Sequence, residues 1–210
     1  MKLLCLLLLG TYSTFAQTNQ DNKSSSGEYK GVAGNQYFLK DWSDGVIRFS
    51  SGKVTDKFKL KFDVAQNRLL LQFNGSTFAA ESKVNEFVMY TRKKDSFVFR
   101  KGYPVTDRGN EETFYQVLEK GKATLLRLNA KDIVEEKEIL ESKVSRHYTD
   151  VEQFYIFRDG GMHKIEKETP LPDILSDRKD DLKNYISEQQ LKMRSGDDLV
   201  KVVKKYNNLQ

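Results

Sequence analysis

The stretch Lys57-Phe58-Lys59-Leu60-Lys61-Phe62-Asp63-Val64 decides the fold class. Every second residue is apolar, which is the period of a pleated strand and not of a helix. Phe58, Leu60, Phe62 and Val64 are expected to line a buried face, with Lys57, Lys59, Lys61 and Asp63 in water. A half-buried strand of this kind belongs to an antiparallel sheet with one face on a core.

Outward from it the same texture continues. Arg68 to Phe73 is more uniformly apolar and is expected to be covered on both faces. Val84 to Tyr90, Ser96 to Arg100, Thr113 to Leu118, Ala123 to Leu128 and Val151 to Arg158 read as further strands. Between them lie Asp44-Gly45, Ser51-Gly52, Asn74-Gly75, Lys101-Gly102, Lys120-Gly121 and Asp159-Gly160. Asn and Asp before Gly accept the positive φ that tight hairpins require, so these dipeptides punctuate a meander of about eight to ten strands. Pro104 is the one proline between residues 36 and 169, which suits continuous ladders. The segment Lys131 to Val144 admits two readings. Ile133, Leu140 and Val144 form a helical stripe, but two strands around a charged turn fit the neighbours better.

After Thr169-Pro170-Leu171-Pro172 the period changes to 3.6. Leu182, Tyr185, Ile186 and Met193 share a side of a helix starting near Asp177. Ser195-Gly196-Asp197-Asp198 has the form of a capping box and opens a second helix with Leu199, Val202, Val203, Tyr206 and Leu209 on one face. At the other end, residues 1–16 pair one lysine with the apolar run Leu3 to Leu9, too short for a membrane helix of ~20 residues, and are expected to be a cleaved secretion signal. Residues 17–35 are polar and read as a flexible leader. The expected whole is α+β, mainly β. An antiparallel meander sheet or sandwich over residues 36–169 is closed by a helical hairpin over 170–210 that packs on it.

Loss of the signal takes one base and no acid from a chain of 210 residues with 35 bases and 30 acids. It leaves 194 residues and a formal charge of +4. The single cysteine, Cys5, leaves too, so the mature chain is expected to have no disulfide, thiolate metal site or cysteine nucleophile. With only His147 and His163, a zinc site built mainly from imidazoles is ruled out. No G-x-S-x-G elbow and no phosphate-cradling glycine loop occurs, so neither cofactor nor metal is expected. Glu135, Glu136 and Glu138 read as a solvated charged face, although two carboxylates meeting in space would permit glycan hydrolysis.

Four residues stand out as ligand contacts. Trp42 is the sole tryptophan, and an aromatic platform suits sugars, but a lone Trp before a turn more often caps a core. Lys57, Lys59 and Lys61 belong, with Lys53, to a basic comb that attracts anions or, on an exposed strand, prevents edge aggregation. A charge this close to neutral makes nucleic acid an improbable partner.

Three stretches carry a resemblance: Gly34 to Trp42 with Gly45-Val46-Ile47-Arg48-Phe49, the hairpin Phe154 to Ile165, and the tail Leu199 to Leu209. They resemble uncharacterised secreted proteins of Bacteroidota. That resemblance implies a Gram-negative envelope location, periplasmic or secreted, and a β-rich body with a helical C-terminus. It implies no reaction, cofactor or site residue. The expected function is a non-enzymatic binding or interaction module whose partner is an envelope protein or a glycan. A carboxylate-dependent glycan-active enzyme and an outer-membrane-associated β protein are the alternatives.

Overall fold

Alternating residues do form strands, and they build two sheets. A computed structural model describes residues 31–80, 83–93, 95–138 and 143–209; the expected signal and most of the leader lie outside these. The strands are β1 (Val32–Ala33), β2 (Gly45–Phe49), β3 (Val54–Thr55), β4 (Lys59–Asp63), β5 (Arg68–Phe73), β6 (Ser76–Ala79), β7 (Val84–Tyr90), β8 (Ser96–Arg100), β9 (Tyr115–Glu119), β10 (Thr124–Glu138), β11 (Lys143–Arg158) and β12 (Gly161–Lys164). The large sheet runs β1-β11-β10-β9-β8-β7-β2-β3, with β12 also on β11, and β4-β5-β6 form the second sheet. From β7 to β12 it is an uninterrupted antiparallel meander. The short β1 makes the sheet mixed, because it pairs parallel with β11 at Arg146 and His147. The protein is thus α+β and mainly β.

The expected inward row is the core. Leu60 and Phe62 of β4 are fully buried and pack with Ile47, Leu69, Leu71, Phe87 and Phe99 between the two sheets. Phe62, Phe87 and Phe99 form a triangle of rings with centroids 4.9–5.2 Å apart. Two expectations change. Asp63, placed in water by alternation, is 0 % exposed, and its carboxylate accepts hydrogen bonds from Gln36 Nε2 (2.7 Å) and from the Gln66 N–H (3.0 Å). The segment before β2 runs alongside β4 and covers that edge, as Phe38 N–H bonding Phe62 O (2.9 Å) attests. β5, expected to be covered twice, buries Leu69 and Leu71 but leaves Leu70 half-buried and Phe73 exposed, so only one face is covered.

The turn chemistry follows the glycine signals in two hairpins: Asn74 and Gly75 have φ of 47° and 82°, and Asp159 and Gly160 have 50° and 77°. Asp44-Gly45 is different: Gly45 opens β2, and an added Cβ would collide with Val88 O and Leu60 Cδ1. Residues 131–138 and 143–144 are strand, forming a ribbon of paired β10 and β11 that runs from Thr124 opposite Phe157 to Glu138 opposite Lys143. The turn between them, with Leu140, lies outside the described residues.

The C-terminal helices are α1 (Leu171–Ile174), α2 (Lys179–Glu188) and α3 (Gly196–Asn208). Leu182, Leu199, Val202, Val203 and Tyr206 bury their stripes against Leu125 and Ile156 of the sheet. α2 begins two residues later than Asp177 because a 3-10 turn, Ser176–Arg178, intervenes. It also ends before Met193, which sits in the connection at a φ of 54°. Ser195 Oγ accepts from the Asp198 N–H (3.3 Å), half of the expected capping box. The Asp198 carboxylate turns instead to the Lys192 and Met193 N–H groups, both 3.1 Å, and closes the loop between α2 and α3. Among the described residues no helix is long and apolar enough to cross a membrane.

Candidate functional site

Trp42 arrives at the surface on the segment that flanks β4. Backbone bonds between Ser43 and Leu60 in both directions (3.0 and 2.8 Å) and from Val64 N–H to Gln36 O (3.0 Å) hold that segment in a fixed register. Tyr37 and Trp42 are thereby set on either side of Lys61, whose ammonium lies 4.3 Å from the Tyr37 ring centre and 5.6 Å from that of Trp42. Both contacts fall within cation–π range, and they leave Lys61 half-buried.

A second element completes the site. Asp44 O accepts from the Tyr90 N–H (2.9 Å), which brings the end of β7 beside Trp42. Between the two lies a depression of roughly 200 Å³, with Lys40, Asp41, Trp42 and Ser43 on one side and Tyr90 and Arg92 on the other. Tyr90 is 41 % exposed. Ser43 is buried, and its hydroxyl has no hydrogen-bond partner among the described residues. An unsatisfied buried hydroxyl is uncommon and marks a wall still able to bond a polar group or water. Gly45 is what allows this approach, since a side chain there would push β2 off β7 and Leu60.

The basic comb divides. Lys61 belongs to the Trp42 site, whereas Lys59 is bound to Asp44 (2.6 Å) and Lys57 is exposed. Lys57 and Lys59 border a different shallow depression, beside Asp56 and the Asn74-Gly75 turn. His147 pairs with Val134 inside the ribbon and His163 lies on β12, so neither reaches Trp42. Glu135 is bound to Arg146 (3.1 Å), and Glu136 faces solvent. Among the described residues no group of three or more His, Cys, Asp or Glu side chains could hold a metal ion.

The alternation and turn signals do not reveal one polar cluster. On the sheet face opposite the helices, the Tyr155 hydroxyl, nearly fully buried, donates to Asp107 Oδ1 (2.7 Å), and Lys164 Nζ donates to Asp107 Oδ2 (2.7 Å). Tyr115 and Thr106 share a hydrogen bond of 2.9 Å beside them. Burial, reinforced by the bond to Asp107, pushes the Tyr155 hydroxyl up; the bonds from Lys164 and Tyr155 hold the Asp107 carboxyl low. Tyr155 also lies 2.7 Å from Gln153 Oε1 and Lys164 2.9 Å from Glu166, so these donors are shared among the acceptors of the cluster, while Arg108 binds Asp132. The cluster clasps residues 106–108 onto the sheet. Comparison with protein-family models, with curated proteins and with solved structures found no match.

Proposed function

We propose that the protein is an exported envelope protein that acts as a binding module without catalysing a reaction, and that it holds a sugar ring of an acidic glycan against Trp42. The observation that carries this reading is the meeting of Trp42 and Tyr90, from separate elements, around a depression rimmed by charged heads. Aromatic faces accept the apolar side of a ring while neighbouring polar groups bond its hydroxyls. Lys40 and Arg92 outnumber Asp41 in its lining, and the Lys61 ammonium lies 5.6 Å from the Trp42 ring centre, which favours a carboxylated or sulfated sugar. The volume is below the ~300–1,000 Å³ typical of deep small-molecule pockets, so it suits one ring or a chain end.

Paired-carboxylate hydrolysis gains no support from this site. That chemistry needs two acids ~5–9.5 Å apart, and Asp41 is the one acid lining the depression. A membrane barrel gains none either: the ribbon carries Lys131 and Glu135 on one face and Asp132 and Glu136 on the other, with no continuous lipid-facing apolar band.

The test uses Trp42 as its own reporter, since it is the sole tryptophan. Titration with acidic oligosaccharides is expected to shift Trp42 emission, and Trp42→Phe and Tyr90→Ala to weaken binding, measured calorimetrically, at least ten-fold with an unchanged urea midpoint. Wild-type protein that binds no glycan, or variants that bind as well as it does, would overturn the reading. Export predicts a mature chain beginning at Gln17, checked by intact mass; an uncut cytoplasmic chain contradicts it.

A further inference from the structure

Among the described residues, no strand covers one edge of the ribbon. β9 accompanies β10 only as far as Gln116 opposite Arg127, so from Leu128 onward the outer edge of β10 has no strand partner among the described residues. No described backbone hydrogen bond from a turn or loop reaches it either. A row of open N–H and C=O groups is a template for another strand. We propose that it pairs with the same edge of a second copy of this chain, antiparallel, with Ile133 on the two-fold axis.

The register follows from the ladder and from charge. In an antiparallel pair, opposed residues both point their backbone groups at each other or both point them away. When the two edges are identical, only residues of the same parity can therefore face each other. With Ile133 on the axis, Lys131 faces Glu135 twice, Asn129 faces Lys137, and Asp132 faces Val134. The neighbouring allowed registers fail. Centring on Asp132 opposes two aspartates, and centring on Val134 opposes two Lys131–Lys137 pairs and two Asp132–Glu136 pairs. Like charges directly opposite destabilise a sheet, so the edge charges favour this alignment over its two neighbours, although each Asp132 is partly compensated by Arg108 of its own copy.

The intramolecular pairs then extend across the interface. Within one copy Lys131 binds Asp150 (2.5 Å) and Glu135 binds Arg146 (3.1 Å). In the dimer they form a row of alternating sign over four strands: Asp150, Lys131, Glu135 of the second copy and Arg146 of the second copy. The two-fold axis repeats the row, giving an isologous contact that closes on itself.

The test uses the full chain carrying Cys5→Ser, so that an introduced cysteine is the only thiol. On the axis, two copies of Ile133→Cys have Cα atoms ~4.5 or ~5.5 Å apart, inside the range a disulfide spans. Mild oxidation is expected to cross-link Ile133→Cys quantitatively and Val134→Cys, which faces position 132, poorly. Sedimentation is expected to find a reversible dimer, weakened several-fold by Val134→Asp, which opposes Asp132, and not weakened by Val134→Lys. Val134 is 38 % exposed, so neither variant disturbs the core. A chain monomeric up to about 1 mM leaves the edge to an extended segment of another protein or of this one, and overturns the proposal. Cross-linking that favours Val134→Cys overturns it equally.

Discussion

Asp63 and Gly45 are the residues whose roles depend most on what the chain brings to them from elsewhere. Asp63 holds Gln36 and the Gln66 N–H, and Gln36 in turn accepts from the Tyr148 hydroxyl (3.4 Å), so the carboxylate links β4 to the ribbon. Asp63→Ala is expected to cost about 1–3 kcal/mol in urea unfolding, because it takes the acceptor from two half-buried donors and leaves a gap at a fully buried position. The conflict at Gly45 is steric: an added methyl meets a strand carbonyl that has no room to retreat. Gly45→Ala should therefore destabilise by about 2 kcal/mol or more, whereas Gly52→Ala, with open space around it, is limited to the strain of a positive φ. Thermal melts of the pair separate crowding from conformation. The period of two from Phe58 to Val64 foretold the inward rings, since alternation is local. The burial of Asp63 was not legible, because it depends on residues 36–38 running alongside β4.

At the scale of elements, the C-terminal helices show how local and distant signals divide. Their stripes, the Ser195 cap and the acids in the first turn are written in neighbouring positions. The docking contact is not: Asn207 accepts from the Ala123 N–H (2.9 Å) and donates to Ala123 O (2.9 Å), filling the space that Gly121 leaves open. Ser195→Ala removes one cap bond and is expected to cost ~1 kcal/mol. Asn207→Ala orphans both backbone groups of Ala123 and should cost more, with hydrogen exchange at the β9–β10 turn accelerating in that variant alone. Equal losses would mean that the helices are held by their apolar stripe and not by this contact. The candidate site divides in the same way. Trp42 and Lys61 stand out in the sequence, but Tyr90 lies at the end of another strand, and it is brought near by the pairing of β2 with β7, which continues into the Asp44–Tyr90 bond.

Across the whole molecule, Asp177 joins the helices to the sheet. Its carboxylate accepts from Arg158 at the end of β11 (2.6 Å), from Lys122 in the β9–β10 turn (3.2 Å) and from Tyr206 on α3 (3.1 Å). Burial alone would raise its pKa, but the bonds from Arg158, Lys122 and Tyr206 prevail and hold it down to about 2. In the unfolded chain the group titrates near ~3.9. A folded value below the unfolded one means that the unfolded state binds the proton more readily. The contribution is therefore fully present above about pH 4 and disappears as pH falls through about 2. Asp177→Asn should accordingly melt below the wild type at pH 7, and the gap should close between about pH 4 and about pH 2. Arg158 and Lys122 also lie over the Tyr206 ring, at 5.5 and 5.3 Å, so their stems stay packed when the carboxylate is neutralised. Helix detachment in acid is thus expected to be gradual and not abrupt. A gap independent of pH would show that the charge of Asp177 contributes nothing to fastening the helices.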